Sequence, residues 1–341
     1  MPSLSPDNVF EAQRRISSHT HRTPLLQSRL LNDWLGHELL FKAENLQRVG
    51  AFKLRGAVNA LAALKEKNAL PKKIVAYSSG NHAQAVAYAS GLFGTQATIY
   101  MTKRASSLKK AATRHYGAEI IETDTRKEAE ALAEEEAKNG SYALPPFDDD
   151  AVIAGQGTAC LEALQDDARP DAVFAPCGGG GLLSGTYLAA SALAPDALVF
   201  AAEPKIANDA ALSYRSGTIC RPFSDSPPTL ADGAATLCVS ERTFAFLKKL
   251  SGFYEIEETE IVYWTQWLTH LLKTAVEPTS ALAMAAACAW LREQTEKRRI
   301  LLLLSGGNLS AESQRCVWEK DFLCERPSKL FRIIPPLCSH T

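Results

Sequence analysis

From residue 74 to residue 141 the chain alternates short β-forming runs with helical stretches: IVAYSS, NHAQAVAYASGLFG, ATIYM, SSLKKAATRHYG, EIIET and TRKEAEALAEEEAKNG. Alternation of this kind builds parallel sheet, so the segment predicts a small parallel α/β unit. A second series, AVFAPCGGGGLLSGTYLAASALA, LVFAAEP, GFYEIEETEIVYWTQWLTHLLK and RRILLLLSGGNLS, predicts a larger one. The expected organisation is a large domain from residues 1–65 and 150–325, a small domain at 66–149 inserted into it, and a C-terminal tail at 326–341. Helical segments before residue 62 have no sheet of their own nearby and are expected to pack on the larger unit. No repeat with a period of about 20 to 50 residues is present, and the glutamate-rich EAEALAEEEAK reads as a solvated helix face.

With 341 residues, 46% hydrophobic and 22% charged, the chain is long enough for one large domain or two smaller ones. A net charge of -1, from 37 Lys+Arg against 38 Asp+Glu, gives no footprint for nucleic acid or an anionic membrane. The expected partner is a small molecule. Eight cysteines, at 160, 177, 220, 238, 288, 316, 324 and 338, form no C-x-x-C pair, which argues against a zinc site or a disulfide framework. The amino-terminal MPSLSPDNVFEAQRR lacks an apolar signal core, and the longest purely aliphatic run, residues 300–304, is too short to span a bilayer. The expected setting is therefore the reduced cytoplasm.

Chemistry-bearing residues gather where strands end. APCGGGGLLSG puts Gly178, Gly179, Gly180 and Gly181 directly after an apolar strand and before a helix. Successive N–H groups there can turn inward and, with the helix amino end, hold a phosphate. The stretch is neither G-x-x-x-x-G-K-[ST] nor G-x-G-x-x-G, so an NTPase or dinucleotide enzyme is poorly supported, and a tight turn is its plain alternative. YSSGNHAQAV repeats the arrangement, with Asn81 either a helix cap or a ligand-facing group. Ser305, in LLLLSGGNLS, is the first polar group after a third apolar run. Lys53, in GAFKLRGA, opens a helical pattern, where the macrodipole repels a cation. Ligands of open parallel sheets collect at the carboxyl ends of strands, so one shared site is expected.

GAFKLRGA, SSGNHAQAVAYA, VIAGQGTACLE, PCGGGGLLSG, LADGAA, VEPTSA and LSGGN, in this order, resemble the fold-type II pyridoxal-phosphate enzymes of the threonine dehydratase and serine racemase family. The resemblance covers roughly residues 5 to 315 and implies an α/β, tryptophan synthase β-like fold of two domains, each an open parallel sheet with flanking helices. It implies pyridoxal 5'-phosphate as cofactor, an amino-acid substrate and a homodimer. Lys53 then takes the place of the lysine that forms the Schiff base, and its position at a helix amino end favours the neutral amine this requires. By the same resemblance Phe52 packs near the ring, Asn81 bonds its 3′-oxygen, and Gly178, Gly179, Gly180, Gly181 and Leu182 hold the phosphate. Ser305 meets the pyridine nitrogen. A hydroxyl there makes a weaker electron sink than a carboxylate would, which favours prompt loss of a β-leaving group.

Ser78, Ser79, Gly80, Asn81 and His82 are expected to bind the substrate carboxylate. Ser79 either only donates a hydrogen bond or serves as the second base that racemisation needs. His82 and Arg126 are the two cations considered for a second substrate carboxylate, with Arg126 otherwise an exposed residue of its glutamate-rich helix. AEPKIANDAAL resembles the family's divalent-metal segment, with Glu203 and Asp209 as carboxylates and Ala207 as a carbonyl donor for Mg²⁺, Mn²⁺ or Ca²⁺. Asn208 replaces a common aspartate, and Pro145 a usual histidine near Phe147. About thirty residues follow LSGGNLS, too few for an isoleucine-sensing regulatory domain. The leading expectation is a lyase that dehydrates L-threonine or L-serine to a 2-oxo acid and ammonia. Serine racemase and 3-hydroxyaspartate dehydratase are alternatives on the same scaffold. A non-catalytic phosphate or nucleotide sensor is a third, against which Lys53 speaks.

Overall fold

The computed structural model describes residues 4–221 and 227–328. The last residues of the tail expected at 326–341, and Cys338 with them, lie outside the described residues. Strands are numbered in chain order: β1 Leu25–Leu26, β2 Glu38–Ala43, β3 Lys73–Tyr77, β4 Gln96–Thr102, β5 Glu119–Thr123, β6 Tyr142–Ala143, β7 Ala172–Pro176, β8 Leu198–Pro204, β9 Gly252–Ile256 and β10 Arg299–Leu304. They form a six-stranded sheet in the order β1-β2-β10-β7-β8-β9 and a four-stranded sheet in the order β5-β4-β3-β6. All pairings are parallel except β1 with β2. The fold is the expected α/β arrangement of two parallel sheets with flanking helices.

In the larger sheet β10 lies between β2 and β7, with Leu302 opposite both Phe41 and Phe174. Helices cover both faces, so β7 and β10 are buried almost throughout, which is why they read as unbroken apolar runs. One layer centres on Phe41, Phe174, Phe200 and the helix Pro278–Leu291, the other on Val173, Ala175, Leu301 and the helices Asp150–Gln165 and Gly181–Leu193. This register brings the carboxyl ends of β2, β10 and β7 side by side. In the smaller sheet β3 and β4 likewise end together, Tyr77 opposite Tyr100.

One expectation for the first 65 residues changes, and another holds only in part. Residues 38–43 are a strand of the larger sheet, unread because Lys42, wholly buried, interrupts its apolar run. The helix Lys53–Glu66 packs Leu54, Ala57, Val58 and Leu61 with Ile74, Ala76, Val86 and Ile99 of the smaller unit. Its residues 54–62 are buried all round, and its other side meets the helix Asp150–Gln165 so closely that a Cβ at Gly155 would stand 2.4 Å from the Arg55 carbonyl. A helix buried on every face has no single apolar stripe, so its periodicity does not say which unit it joins. Among the described residues, no helix is long and apolar enough to cross a membrane.

Candidate active site

The loop leading to Lys53 is laced to the loop after β10. The Phe52 N–H donates to the Ser305 carbonyl at 3.0 Å and the Gly307 N–H to the Gly50 carbonyl at 3.0 Å, while Ala51 bridges Gly306. Gly50 makes this approach possible: its φ is +72°, and a Cβ there would lie 2.6 Å from Asn308 Oδ1. Lys53 is the first residue of its helix. Its Nζ lies 5.1 Å from the centre of the Phe52 ring and donates to the Pro146 carbonyl at 2.7 Å. No carboxylate pairs with it among the described residues. Burial therefore acts unopposed and lowers its pKa to about 7.

Behind Lys53 lies a hydrogen-bonded network that is only partly legible in the sequence. Asn81 opens the helix Asn81–Phe93, yet its side chain makes no cap bond. Its Nδ2 donates to both Glu277 oxygens at 3.1 and 3.0 Å, and its Oδ1 accepts from Asn308 Nδ2 at 2.9 Å. Ser305 Oγ donates to Glu277 Oε1 at 3.3 Å and lies 3.1 Å from Ser280 Oγ. Burial, reinforced by Asp232, raises the Glu277 carboxyl to about 7. The sequence does not single out Glu277, Ser280 or Asn308. Their stretches VEPTSA and LSGGN carry part of the family resemblance, but no local rule says that a glutamate before a helical proline will turn inward.

Gly178, Gly179 and Gly181 are compressed against Phe147 and the 231–236 segment, and Gly180 against Leu247 and Thr243. A Cβ at Gly179 would stand 2.2 Å from the Phe147 ring, one at Gly181 2.8 Å from Phe147 Cβ, and one at Gly178 3.1 Å from the Gly233 carbonyl. Gly180 has φ +84°. No described carbonyl accepts from the N–H groups of Gly178, Gly179 or Gly180, which leaves them at the start of the helix Gly181–Leu193 beside buried Leu182. After Pro145, Pro146 offers its carbonyl to Lys53 and Phe147 lies against the cradle.

At the end of β3, the Ser78 N–H donates to the Tyr100 carbonyl, Gly80 N–H to Ser78 Oγ at 3.2 Å, and Ser79 Oγ lies 3.3 Å from Thr102 Oγ1. His82 departs from its expected role as a cation. It is buried, its Nε2–H donates to the Leu144 carbonyl at 2.9 Å, and burial with the neighbouring Lys53 amine lowers its pKa to about 3. The ring is neutral and has no charge to offer a second carboxylate. Arg126 begins the helix Arg126–Lys138 but reaches across to the Ala235 carbonyl at 2.9 Å, in the LADGAA segment that borders the cradle.

In the AEPKIANDAAL segment, Glu203 and Asp209 are wholly buried. Glu203 accepts from the Ala210 and Ala211 N–H groups at 3.2 and 2.9 Å, yet burial and Asp209 push its pKa well up. Burial raises Asp209 to about 7 against the pull of its own backbone and that of Val239. Neither Asp209 oxygen has a well-placed donor. Asn208 turns to Glu255 instead. Among the described residues, no three His, Cys, Asp or Glu side chains gather as a metal cluster.

Residues 16–306 match the family described as pyridoxal-phosphate dependent enzyme. The chain belongs to this family. It is 43% identical over 305 residues to the L-threo-3-hydroxyaspartate ammonia-lyase of Saccharomyces cerevisiae, covering 89% of this chain and 92% of that one. It is 40% identical to the serine racemase of Schizosaccharomyces pombe, covering 90% and 94%. Among solved structures, a threonine deaminase from T.th. aligns with a TM-score of 0.83 at 45% identity, over 91% of this chain and 99% of that one. Maize serine racemase aligns with a TM-score of 0.85 at 34% identity, over 93% and 97%. The chain is thus an enzyme of the pyridoxal-phosphate lyase and racemase group.

The family's cofactor fits the residues present. Lys53 supplies an amine that loses its proton near neutrality, the glycine cradle supplies N–H groups without carbonyl partners at a helix amino end, and Asn81 and Ser305 stand in one buried network. When bound, the cofactor supplies an aldehyde for an amine and a ring that draws electrons from the substrate α-carbon.

Proposed function

We propose that the chain is an ammonia-lyase that eliminates water from a β-hydroxy-α-amino acid, with 3-hydroxyaspartate as the leading substrate and L-serine and L-threonine behind it. Lys53 carries this reading: it is a near-neutral amine held between Phe52 and the Pro146 carbonyl at the carboxyl edge of the larger sheet. In this reading Lys53 holds the cofactor and then moves the α-proton. The N–H and hydroxyl groups at Ser78, Ser79, Gly80 and Asn81 bind the α-carboxylate, the β-hydroxyl leaves, and the released enamine hydrolyses to a 2-oxo acid and ammonia. The order of substrates reverses the expectation from sequence. Three relatives support the change: two named L-threo-3-hydroxyaspartate ammonia-lyase, at 43% and 39% identity, and a β-hydroxyaspartate dehydratase at 38%. The test is ammonia and 2-oxo acid release from a panel of serine, threonine and 3-hydroxyaspartate stereoisomers. Release from none of them would sink the proposal.

Racemisation of serine is a second reading, favoured by the Ser79 hydroxyl beside Thr102 Oγ1. Removal of an acid or base from a proton transfer costs about 10²–10⁴-fold. Ser79→Ala is expected to lower the ratio of serine racemisation to elimination by at least about 100-fold, measured by chiral chromatography beside oxo-acid release. An unchanged ratio would leave Ser79 as a hydrogen-bond donor.

The reading includes a divalent cation, Mg²⁺, Mn²⁺ or Ca²⁺, at Glu203, Asp209 and the Ala207 carbonyl. Two fully buried carboxylates that burial drives toward neutrality would be relieved by a hard cation with oxygen donors. A ligand present at about 100 times its Kd adds about 2.7 kcal/mol to folded-state stability. Chelation is therefore expected to lower the melting temperature by several degrees, and Mg²⁺ to restore it. An unmoved melting temperature would make the pair structural. A homodimer in a reducing, cytoplasmic setting completes the reading; the described cysteines are all unpaired, which suits such a setting.

A further inference from the structure

Lys53 is not the only lysine set against a helix dipole. Lys109 lies in the first turn of the helix Ser107–His115, in the smaller unit, where the amino end repels a cation. It is nevertheless nearly buried, at 9% exposure. Its Nζ donates at 2.6 Å to Asp232 Oδ2, a carboxylate whose side chain is 57% exposed. The lost hydration is outweighed by the pull of Asp232, with that of Glu277, which holds the ammonium charged, but charge alone does not explain its place.

Its location does. Helix Ser107–His115 follows β4, whose end is tied to the substrate loop by the Ser79–Thr102 contact. Asp232 belongs to the segment that borders the glycine cradle at Gly233 and is fixed by the Gly233 N–H to Thr279 Oγ1, 3.1 Å, two residues beyond Glu277. Glu277, which holds Asn81, feels Asp232 and Lys109 with opposite sign, so the pair lies within electrostatic reach of the site. A carboxylate and an ammonium, one from each unit, thus meet at the edge of the region where the substrate would lie.

We propose that Lys109 is the specificity residue for a second carboxylate on the substrate, and that Asp232 is the internal carboxylate that this group displaces. This rests on the hydroxyaspartate reading above and adds to it the group that recognises the distal carboxylate, a task that neutral His82 cannot perform. No bond is made or broken; one carboxylate replaces another on the same ammonium. The exchange keeps Lys109 paired in either state, and a substrate without a second carboxylate leaves the Asp232 pair intact.

The test uses the cofactor-loaded enzyme and its Lys109→Met, Asp232→Asn and Arg126→Ala variants, with melting temperature and visible cofactor absorption as checks on folding. Lys109→Met is expected to lower the ratio of kcat/KM for 3-hydroxyaspartate to that for serine by about 100-fold, in the range for loss of a charged hydrogen bond. Asp232→Asn is expected to act in the opposite direction, tightening succinate relative to propionate several-fold, as read from the cofactor absorption. A merely structural latch would respond alike to loss of either partner, and equal losses in both variants would overturn the assignment. Selective loss in Arg126→Ala with none in Lys109→Met would give the role to Arg126. Absence of lyase activity in the parent enzyme would defeat the proposed reaction, while the succinate comparison would still decide on Lys109.

Discussion

Lys53→Ala is expected to give a folded protein in which borohydride no longer attaches the cofactor to the chain. Lys53 is the amine at the carboxyl edge of the larger sheet that burial brings to about 7. Lys109, whose partner Asp232 lies in the segment bordering the glycine cradle, is paired. Loss of both its covalent role and its proton transfer is expected to reduce turnover by more than the roughly 10²–10⁴-fold of a lost acid or base. Reduction followed by peptide mapping measures the attachment, and oxo-acid release measures the turnover. Cofactor found on the variant chain after reduction would refute the assignment. A pH dependence accompanies it. A lysine whose pKa is lowered to about 7 is charged and inert below that value and free to attack an aldehyde above it. Covalent reconstitution of the cofactor-free parent is therefore expected to speed up as pH rises through about 7, and to level off above.

Arg55→Met is expected to be strongly destabilising. The Arg55 guanidinium is wholly buried, gives Nε and Nη2 to the two oxygens of Glu44 at 2.7 and 2.8 Å, and gives Nη1 and Nη2 to the two oxygens of Glu162 at 2.8 Å. Lys42 joins from β2 with a 2.7 Å bond to Glu162. The two carboxylates and two cations balance, and the bidentate geometry meets most of the donors. Removing one partner from a buried set of this kind costs about 3–5 kcal/mol, because the remaining charges stay buried without it. Equilibrium urea unfolding reads the cost. A loss below about 1 kcal/mol, the range of exposed pairs, would mean that water enters and screens the cluster. The cluster also bears on the site. Arg55 lies two residues after Lys53 and fastens that helix to Glu44, in the turn that follows β2, and to Glu162 of the helix Asp150–Gln165. Loosened anchoring is expected to reduce the variant's cofactor affinity as well.

Much of this was written locally. The β-rich runs that begin at residues 74, 97 and 119 fall on strands, the first as far as Tyr77, because short apolar stretches between helical patterns have few other ways to bury themselves. Lys53 and the four glycines announced themselves by breaking a local rule, one on the helix dipole and the other on what a turn requires. Residues whose role depends on a distant partner left no such trace. Glu277 reads as an ordinary residue before a helical proline and becomes the acceptor for Asn81, 196 positions away. Lys109 reads as one more surface lysine, and its partner Asp232 lies 123 positions on.

The sequence by itself determined that this chain forms parallel α/β sheets, that the glycine loop follows a strand and Lys53 opens a helix, and that the family is that of the pyridoxal-phosphate enzymes. Each of these rests on backbone conformation and nearest-neighbour spacing, which a short window contains. Only the tertiary structure decided that burial lowers the pKa of His82, that the Lys53 helix shares its core with the smaller unit, that Arg55 is caged between two carboxylates, and that Lys109 pairs with Asp232. Charge state and partnership are set by desolvation and by groups far apart along the chain, and these exist only once the sheets have brought the carboxyl ends of their strands together.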